Sequence, residues 1–249
     1  MQRFYRVMDK ADVIFEVIDA RFPKETLSKS IECFAEEKGK KLVIVANKED
    51  LISSRGREKV KEAAGNTKVI FVSAKGREGI ASLRRLISSI AGKEEAKVGF
   101  VGYPNTGKSS IINALSGRHS ALTSSQSGFT KGEQYINLSE NVLLVDSPGV
   151  VGYEEKPEEV LALINAKSVD HLSDLESAAL YIIKYIIAEK PDAIRGCYGV
   201  DARGRAEEIL ERVAAKRGFL LKGGSVDLNR AARLLITDWQ KGKIKFFKK

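Results

Sequence analysis

KVGFVGYPNTGKSSIINAL, residues 97–115, is the stretch on which the fold turns. Lys97–Val101 is a short apolar run of strand character. Gly102-Tyr103-Pro104-Asn105-Thr106-Gly107-Lys108-Ser109 follows it and fits G-x-x-x-x-G-K-[ST]. Ser110–Leu115 then carries helical spacing, so the motif lies between a strand and a helix, the setting of a phosphate-binding loop. Glycine lets the backbone curl closely enough for successive N–H groups, through Thr106, Gly107, Lys108, Ser109 and Ser110, to face phosphate oxygens. The helix that follows adds its positive end. Lys108 is expected at the β and γ phosphates of a bound nucleotide, and the Ser109 hydroxyl on Mg²⁺. The competing reading, a purely structural glycine turn, does not account for the strand and helix around it.

Working outward, Val142–Val145 is a second apolar run, closed by Asp146-Ser147-Pro148-Gly149. An acidic residue at that point can hold Mg²⁺ through water, and the Gly149 N–H can face a γ-phosphate. D-x-P-G is also an ordinary turn when it stands alone. Thr130, in Gly128-Phe129-Thr130-Lys131-Gly132, lies between the two phosphate motifs. It is placed to ligate Mg²⁺ when the γ-phosphate is present, which makes Lys108 and Thr130 the catalytic candidates.

Asn47-Lys48-Glu49-Asp50 follows the run Lys41–Ala46 and fits N-K-x-D. The Asp50 carboxylate can accept from guanine N1–H and the 2-amino group together. Adenine offers neither donor there and would leave a buried charge unpaired. Asn47 is expected to tie this segment to the phosphate loop, and the Lys48 stem to cover the base. Ser73-Ala74-Lys75, after Lys68–Val72, would bring the Ala74 N–H to guanine O6. A capping turn is the alternative for N-K-x-D in isolation; beside the other motifs, each at a strand end, guanine is the better reading.

Val13–Ile18 completes a set of β-branched runs separated by helical spacing such as Leu83, Leu86, Ile87 and Ile90. Continuous apolar strands alternating with amphipathic helices predict a mostly parallel sheet covered on both faces. Glu133–Leu138 alternates instead and reads as an antiparallel edge strand beside Val142–Val145. After about residue 155 the patterns are helical only, at Leu175–Ile187, Ala206–Ala215 and Leu228–Trp239. The expected organisation is an α/β P-loop GTPase domain over residues 1–155 and a small all-helical domain over 156–249.

Charge is distributed unevenly between these parts. The chain carries a net +9, and the 38 residues from Arg212 to Lys249 hold 11 Lys/Arg against 2 Asp/Glu. The rest of the chain is therefore neutral. A localised excess of this kind fits a polyanionic partner, or else a solvated tail that aids solubility. No apolar run approaches the roughly 20 residues of a membrane span, and the first residues lack a secretory pattern. Cys33 and Cys197 stand far apart and read as two buried reduced thiols in a cytoplasmic protein.

Motif order is the distinguishing feature. In an ordinary GTPase the phosphate motifs come first and the base-reading motifs last. Here Asn47–Asp50 and Ser73–Lys75 precede the phosphate loop, which Thr130 and then Asp146–Gly149 follow, with Gly92–Ala96 as the joint. Ligands bind at the carboxyl ends of strands, so such a circular permutation still lets the motifs converge. The sequence thus resembles the circularly permuted GTPases of large-ribosomal-subunit assembly, the YlqF/RbgA type. Asp19-Ala20-Arg21 with Pro23 looks like that family's D-A-R-x-P element. Lys216-Arg217-Gly218, Gly223-Gly224, Asp227 and Gly242-Lys243 are similar to its C-terminal RNA-binding-like domain.

The resemblance implies GTP and GDP as ligands, and rRNA and the large-subunit precursor as partners, with no membrane. Two departures from the family pattern stand out. The P-G-H-M element of bacterial members is not in this sequence, whose histidines are His119 and His171, and Ser127 replaces a usual proline. Val150 occupies the position where many GTPases keep a water-orienting glutamine. Asn105 resembles the potassium ligand of cation-activated GTPases, or is simply a turn residue. Three readings follow: a slow GTPase stimulated by a pre-ribosomal particle, a GTP-gated rRNA-docking module with incidental hydrolysis, or a K⁺-activated GTPase in tRNA modification.

Overall fold

The computed structural model describes residues 2–91, 96–116, 134–139, 142–146 and 156–247. The chain divides into two compact units, Met1–Tyr153 and Glu154–Lys248.

The first unit is built on six strands: β1 (Val13–Asp19), β2 (Lys41–Asn47), β3 (Lys68–Phe71), β4 (Ala96–Val101), β5 (Gln134–Ser139) and β6 (Val142–Asp146). They lie in the order β3-β2-β1-β4-β6-β5. Every pairing is parallel except that of β5 with β6, which is antiparallel as the alternation of β5 predicts. Val43 and Val45 of β2 are buried with Phe15, Val98 and Phe100 against Leu83, Ile87, Ile111 and Leu115. Their neighbours Ile44 and Ala46 are buried instead with Ile18, Val60 and Ala64. Successive strand residues thus enter two different cores, which is why these runs are apolar throughout rather than alternating.

Among the described residues, six helices accompany the sheet: α1 (Gln2–Lys10), α2 (Pro23–Thr26), α3 (Lys29–Glu37), α4 (Ser54–Ala64), α5 (Ile80–Ala91) and α6 (Lys108–Ser116). Register aligns the functional strand ends. Asp19 is opposite Asn47, and Phe100, one residue short of the end of β4, is opposite Asp146. The carboxyl ends of β1, β2, β4 and β6 therefore gather along one edge, where ligands bind in open α/β sheets.

The second unit contains α7 (Glu158–Leu163), α8 (Leu175–Glu189), α9 (Asp192–Tyr198), α10 (Ala206–Lys216) and α11 (Leu228–Gln240). Asp174 and Asp227 cap α8 and α11 by accepting from the Ser177 and Arg230 N–H groups. Ile182, Ile183 and Ile186 of α8 are buried, as are Leu210 and Val213 of α10 and Leu235 and Ile236 of α11, and α8 packs against both partners. The Trp239 indole N–H donates to the Leu163 carbonyl at 2.8 Å, and Lys190 Nζ donates to the Lys245 and Phe246 carbonyls.

The basic stretch after Arg212 is part of this core, because α11 and the last turn of α10 carry many of its buried residues. Charge and core share the same residues' helices on opposite faces. The cysteine expectation fails: Cys33 is exposed on α3, and Cys197 is only half-buried. Ile31 and Ala35 supply the buried stripe of α3, and Cys33 lies between them on the other face. Among the described residues no helix is long and apolar enough to cross a membrane.

Candidate nucleotide site

The loop between β4 and α6 needs glycine at two places. Gly102 has φ +139°, and a Cβ there would sit 2.3 Å from the Val17 carbonyl oxygen. Gly107 has φ +100°, and its Cβ would sit 2.1 Å from Asn47 Nδ2. Any side chain would break the contact between the loop and its neighbouring strands. Lys108 is buried, and its ammonium donates to the Gly102 and Tyr103 carbonyls at 2.8 and 2.7 Å, inside the cup of the loop. Thr106 Oγ1 donates to the Tyr103 carbonyl, closing the turn.

Asn47 performs the tie expected of it. Its Nδ2 donates to the Thr106 carbonyl at 2.8 Å, a buried bond between residues 59 apart in the chain. Its Oδ1 accepts the Ala74 N–H at 3.1 Å. That N–H, expected at guanine O6, is here directed at Asn47, the nearest strong acceptor. The Ser73 turn is closed by the Ser73 N–H on the Glu78 carbonyl and the Gly76 N–H on Ser73 Oγ. One asparagine thus joins all three nucleotide loops.

Lys48 adopts φ +63°, unusual for a residue with a side chain. Its ammonium donates to Asp19 Oδ2 at 2.7 Å and to the Asn105 carbonyl at 2.8 Å. Asp19 is buried and also takes a two-pronged contact from Arg21, Nε to Oδ1 at 2.9 Å and Nη2 to Oδ2 at 2.6 Å. Burial by itself would raise the Asp19 pKa; the hydrogen bonds and charges of Arg21 and Lys48 more than offset this and hold it below the usual carboxylate value. Burial lowers the Lys48 pKa, and the Asp19 carboxylate opposes that only in part. Sequence reasoning gave Asp19 and Arg21 no role beyond family likeness. The available signal was a charged pair at the end of an otherwise apolar buried strand, next to the strand carrying Asn47.

These groups enclose a cavity of about 830 Å³ lined by Asn47, Lys48, Asp50, Leu51, Ser73, Ala74 and Lys75 on one side and by Pro104, Asn105 and Gly107–Ser110 on the other. Asp50, Asn105, Ser109 and Ser110 are exposed to it or to solvent. Thr130 and Gly149 lie outside the described residues. Asp146 ends β6 in register with Phe100, beside the strand that feeds the phosphate loop. Its side chain, the joint at Gly92–Glu95, Val150 and His119 likewise lie outside them. His171 belongs to the helical unit, where Nδ1 is 2.8 Å from Ser168 Oγ. Among the described residues no cluster of His, Cys, Asp and Glu could hold a metal by itself. Oxygen donors such as Ser109 and Asp146 suit Mg²⁺ shared with phosphates.

Comparisons with known proteins agree with this geometry. The family described as "50S ribosome-binding GTPase" matches residues 97–196, starting at the phosphate-loop strand. A GTP-binding protein of Methanocaldococcus jannaschii is 43% identical over 98% of this chain and 65% of its own length. Nuclear/nucleolar GTPase 2 of Arabidopsis thaliana is 34% identical over 98% of this chain and 43% of its own. The chain thus spans less than two thirds of the length of these relatives. The crystal structure of GNP-bound YlqF from T. maritima has a TM-score of 0.64 at 27% identity, covering 97% of this chain and 93% of that one. The GDP-bound YlqF structure matches equally well, with a TM-score of 0.64 at 25% identity over 96% and 94% of the two chains. Sheet order and motif order agree with these similarities: the chain is similar to YlqF, and its GTPase motifs run in circularly permuted order.

Proposed function

We propose that this chain binds GTP in the cavity between Asn47–Lys75 and the phosphate loop, hydrolyses it, and acts on the large ribosomal subunit precursor by binding rRNA. The observation that carries the reading is the Asn47 tie, which brings base-reading and phosphate-holding segments into one pocket although they are reversed in the chain. Asp50 reads guanine. Lys108, held by two loop carbonyls, and the N-terminal end of α6 stabilise charge on the phosphates. Ser109, Thr130 and Asp146 are the residues that would hold Mg²⁺, which neutralises phosphate charge when bound.

The rRNA part rests on charge and on kinship. Lys216, Arg217, Lys222, Arg230, Lys241, Lys243 and Lys245 are exposed in the helical unit. Arg233 pairs with Asp170, and Arg212 donates to the Asp201 and Arg203 carbonyls. The matched family's description and the nucleolar relatives support a ribosomal partner over tRNA modification. A second reading, a GTP-gated docking module with incidental hydrolysis, is favoured by Val150, which cannot orient water. Multiple-turnover GTP hydrolysis with and without large subunits, together with binding of labelled rRNA at two salt concentrations, tests both. Stimulation by subunits supports the first reading, and nucleotide-dependent binding without turnover supports the second. RNA binding that does not weaken with salt would refute the electrostatic account.

A further inference from the structure

Among the described residues, the D-A-R segment at the end of β1 meets the nucleotide cavity through Lys48, and the nucleotide reading leaves it without a task. The Asp19 carboxylate accepts four hydrogen bonds. The Arg21 N–H and Nε reach Oδ1, and Arg21 Nη2 and Lys48 Nζ reach Oδ2. Thr26 fixes the backbone beneath it, receiving the Asp19 N–H at 3.2 Å and donating to the Phe22 carbonyl at 2.6 Å. The carboxylate is therefore held rigidly, and Arg21 occupies the positions from which it could otherwise turn.

Among the described residues, Lys48 is the group that links Asp19 to the site. Its ammonium bridges this carboxylate to the Asn105 carbonyl, in a residue with φ +61° at the crest of the phosphate loop. The base-reading loop is thereby pinned to the phosphate loop at a second point, independent of the Asn47 tie. Without the carboxylate, Lys48 would keep the Asn105 carbonyl as acceptor and would face the Arg21 cation with the Asp19 charge removed. It would leave for solvent, and Asn105 would lose its anchor.

We infer that Asp19, buttressed by Arg21, is a positioning residue of the nucleotide site, holding Lys48 against the phosphate loop so that the pocket is formed before a guanine nucleotide enters. Preorganisation of this kind slows dissociation by removing the ordering cost from binding. The inference rests on the GTP-binding reading proposed above. Asp19 does not meet the base, so it sets affinity without setting base choice.

The test uses the full chain and a fluorescent GDP analogue, with dissociation followed by stopped flow. Asp19→Asn should release the analogue at least tenfold faster, and Lys48→Met should do the same. The double variant should be no worse than the poorer single variant within about twofold, because both remove one link. Arg21→Gln should have a smaller effect, and the preference for guanine over xanthine nucleotide should not change in Asp19→Asn. A merely structural role would lower stability but would not make the two effects non-additive. If circular dichroism shows Asp19→Asn unfolded, the paired variant Asp19→Asn/Arg21→Gln, which removes the partly buried cation together with its buried anion, replaces it under the same criteria. Dissociation within twofold of wild type, or effects that multiply in the double variant, overturns the inference alone. A wild-type chain that takes no nucleotide overturns the functional reading and this inference with it.

Discussion

Replacing Asn47 by alanine removes the side chain that joins three loops, and the structure allows the loss to be apportioned. Two hydrogen bonds disappear, each contributing roughly 0.5–1.5 kcal/mol net. The Thr106 carbonyl, whose bond to Asn47 is buried, is left without that donor. An unsatisfied buried acceptor costs roughly 1–3 kcal/mol. The Ala74 N–H is only part-buried and borders the cavity, so water can replace its partner at little cost. The expected total is about 2–6 kcal/mol. Urea unfolding of wild type and Asn47→Ala, read by fluorescence and far-ultraviolet circular dichroism, measures it. A stability difference below about 0.5 kcal/mol, the level of ordinary surface substitutions, would refute the assignment of Asn47 as the structural tie between the loops.

The other expectations concern chemistry and pH. Asp50→Asn should weaken GTP about 10- to 100-fold, the worth of hydrogen bonds to a charged acceptor, while gaining xanthine nucleotide; competition binding checks both. Lys108→Ala should reduce hydrolysis by about 2–4 kcal/mol in barrier terms, as for loss of a group that stabilises transition-state charge, measured in single turnover. If Asn105 ligates potassium, exchanging Na⁺ for K⁺ should raise wild-type turnover but not that of Asn105→Ala, and equal rates in the two salts would remove the idea. Glu158 is held at about 2 by hydrogen bonds from Lys167 and Ser173. A depressed folded-state pKa stabilises above the unfolded value near 4.5 and is lost as pH falls toward 2. The stability gap between wild type and Glu158→Gln should therefore close over that window, followed by acid titration of circular dichroism.

Strands and motif positions were legible because they rest on local rules. Val43–Ala46 reads as a buried strand from its unbroken apolar run, and the loop Gly102–Ser109 from residue types that its backbone angles require. The Asn47 tie was also anticipated, since a short amide at a strand end beside a phosphate loop has few other uses. What was not legible is what depends on register between distant segments. That Lys48 meets Asp19 follows from the parallel pairing that sets Asp19 opposite Asn47, and no periodicity carries that information. The Ala74 N–H was aimed at a base in advance, whereas its partner in the structure is the Asn47 amide. Burial of the cysteines was inferred from residue type alone, and for Cys33 the phase of α3 decided otherwise.

The basic end of the chain shows how charge and fold compete for the same residues. From composition, a cut before Arg212 looks like a clean way to remove all excess positive charge. In the structure that cut also removes Val213, Ala231, Ala232, Leu235, Ile236 and Trp239, all buried, and the indole bond to Leu163. Val213, Leu235, Ile236 and Trp239 contribute roughly 1.5–3 kcal/mol each, a loss as large as the net stability of about 5–15 kcal/mol typical of a whole domain. The truncated helical unit would unfold, and lost RNA binding would report lost structure rather than lost charge. Replacing exposed cations such as Lys216, Lys222, Lys241 and Lys245 by glutamine keeps the buried face intact and changes only the exposed charge. The slope of binding against salt should then fall by about 0.7–0.9 for every substituted cation that contacts a phosphate, and a full-length chain bearing all four changes but keeping the wild-type slope would place the RNA contact elsewhere.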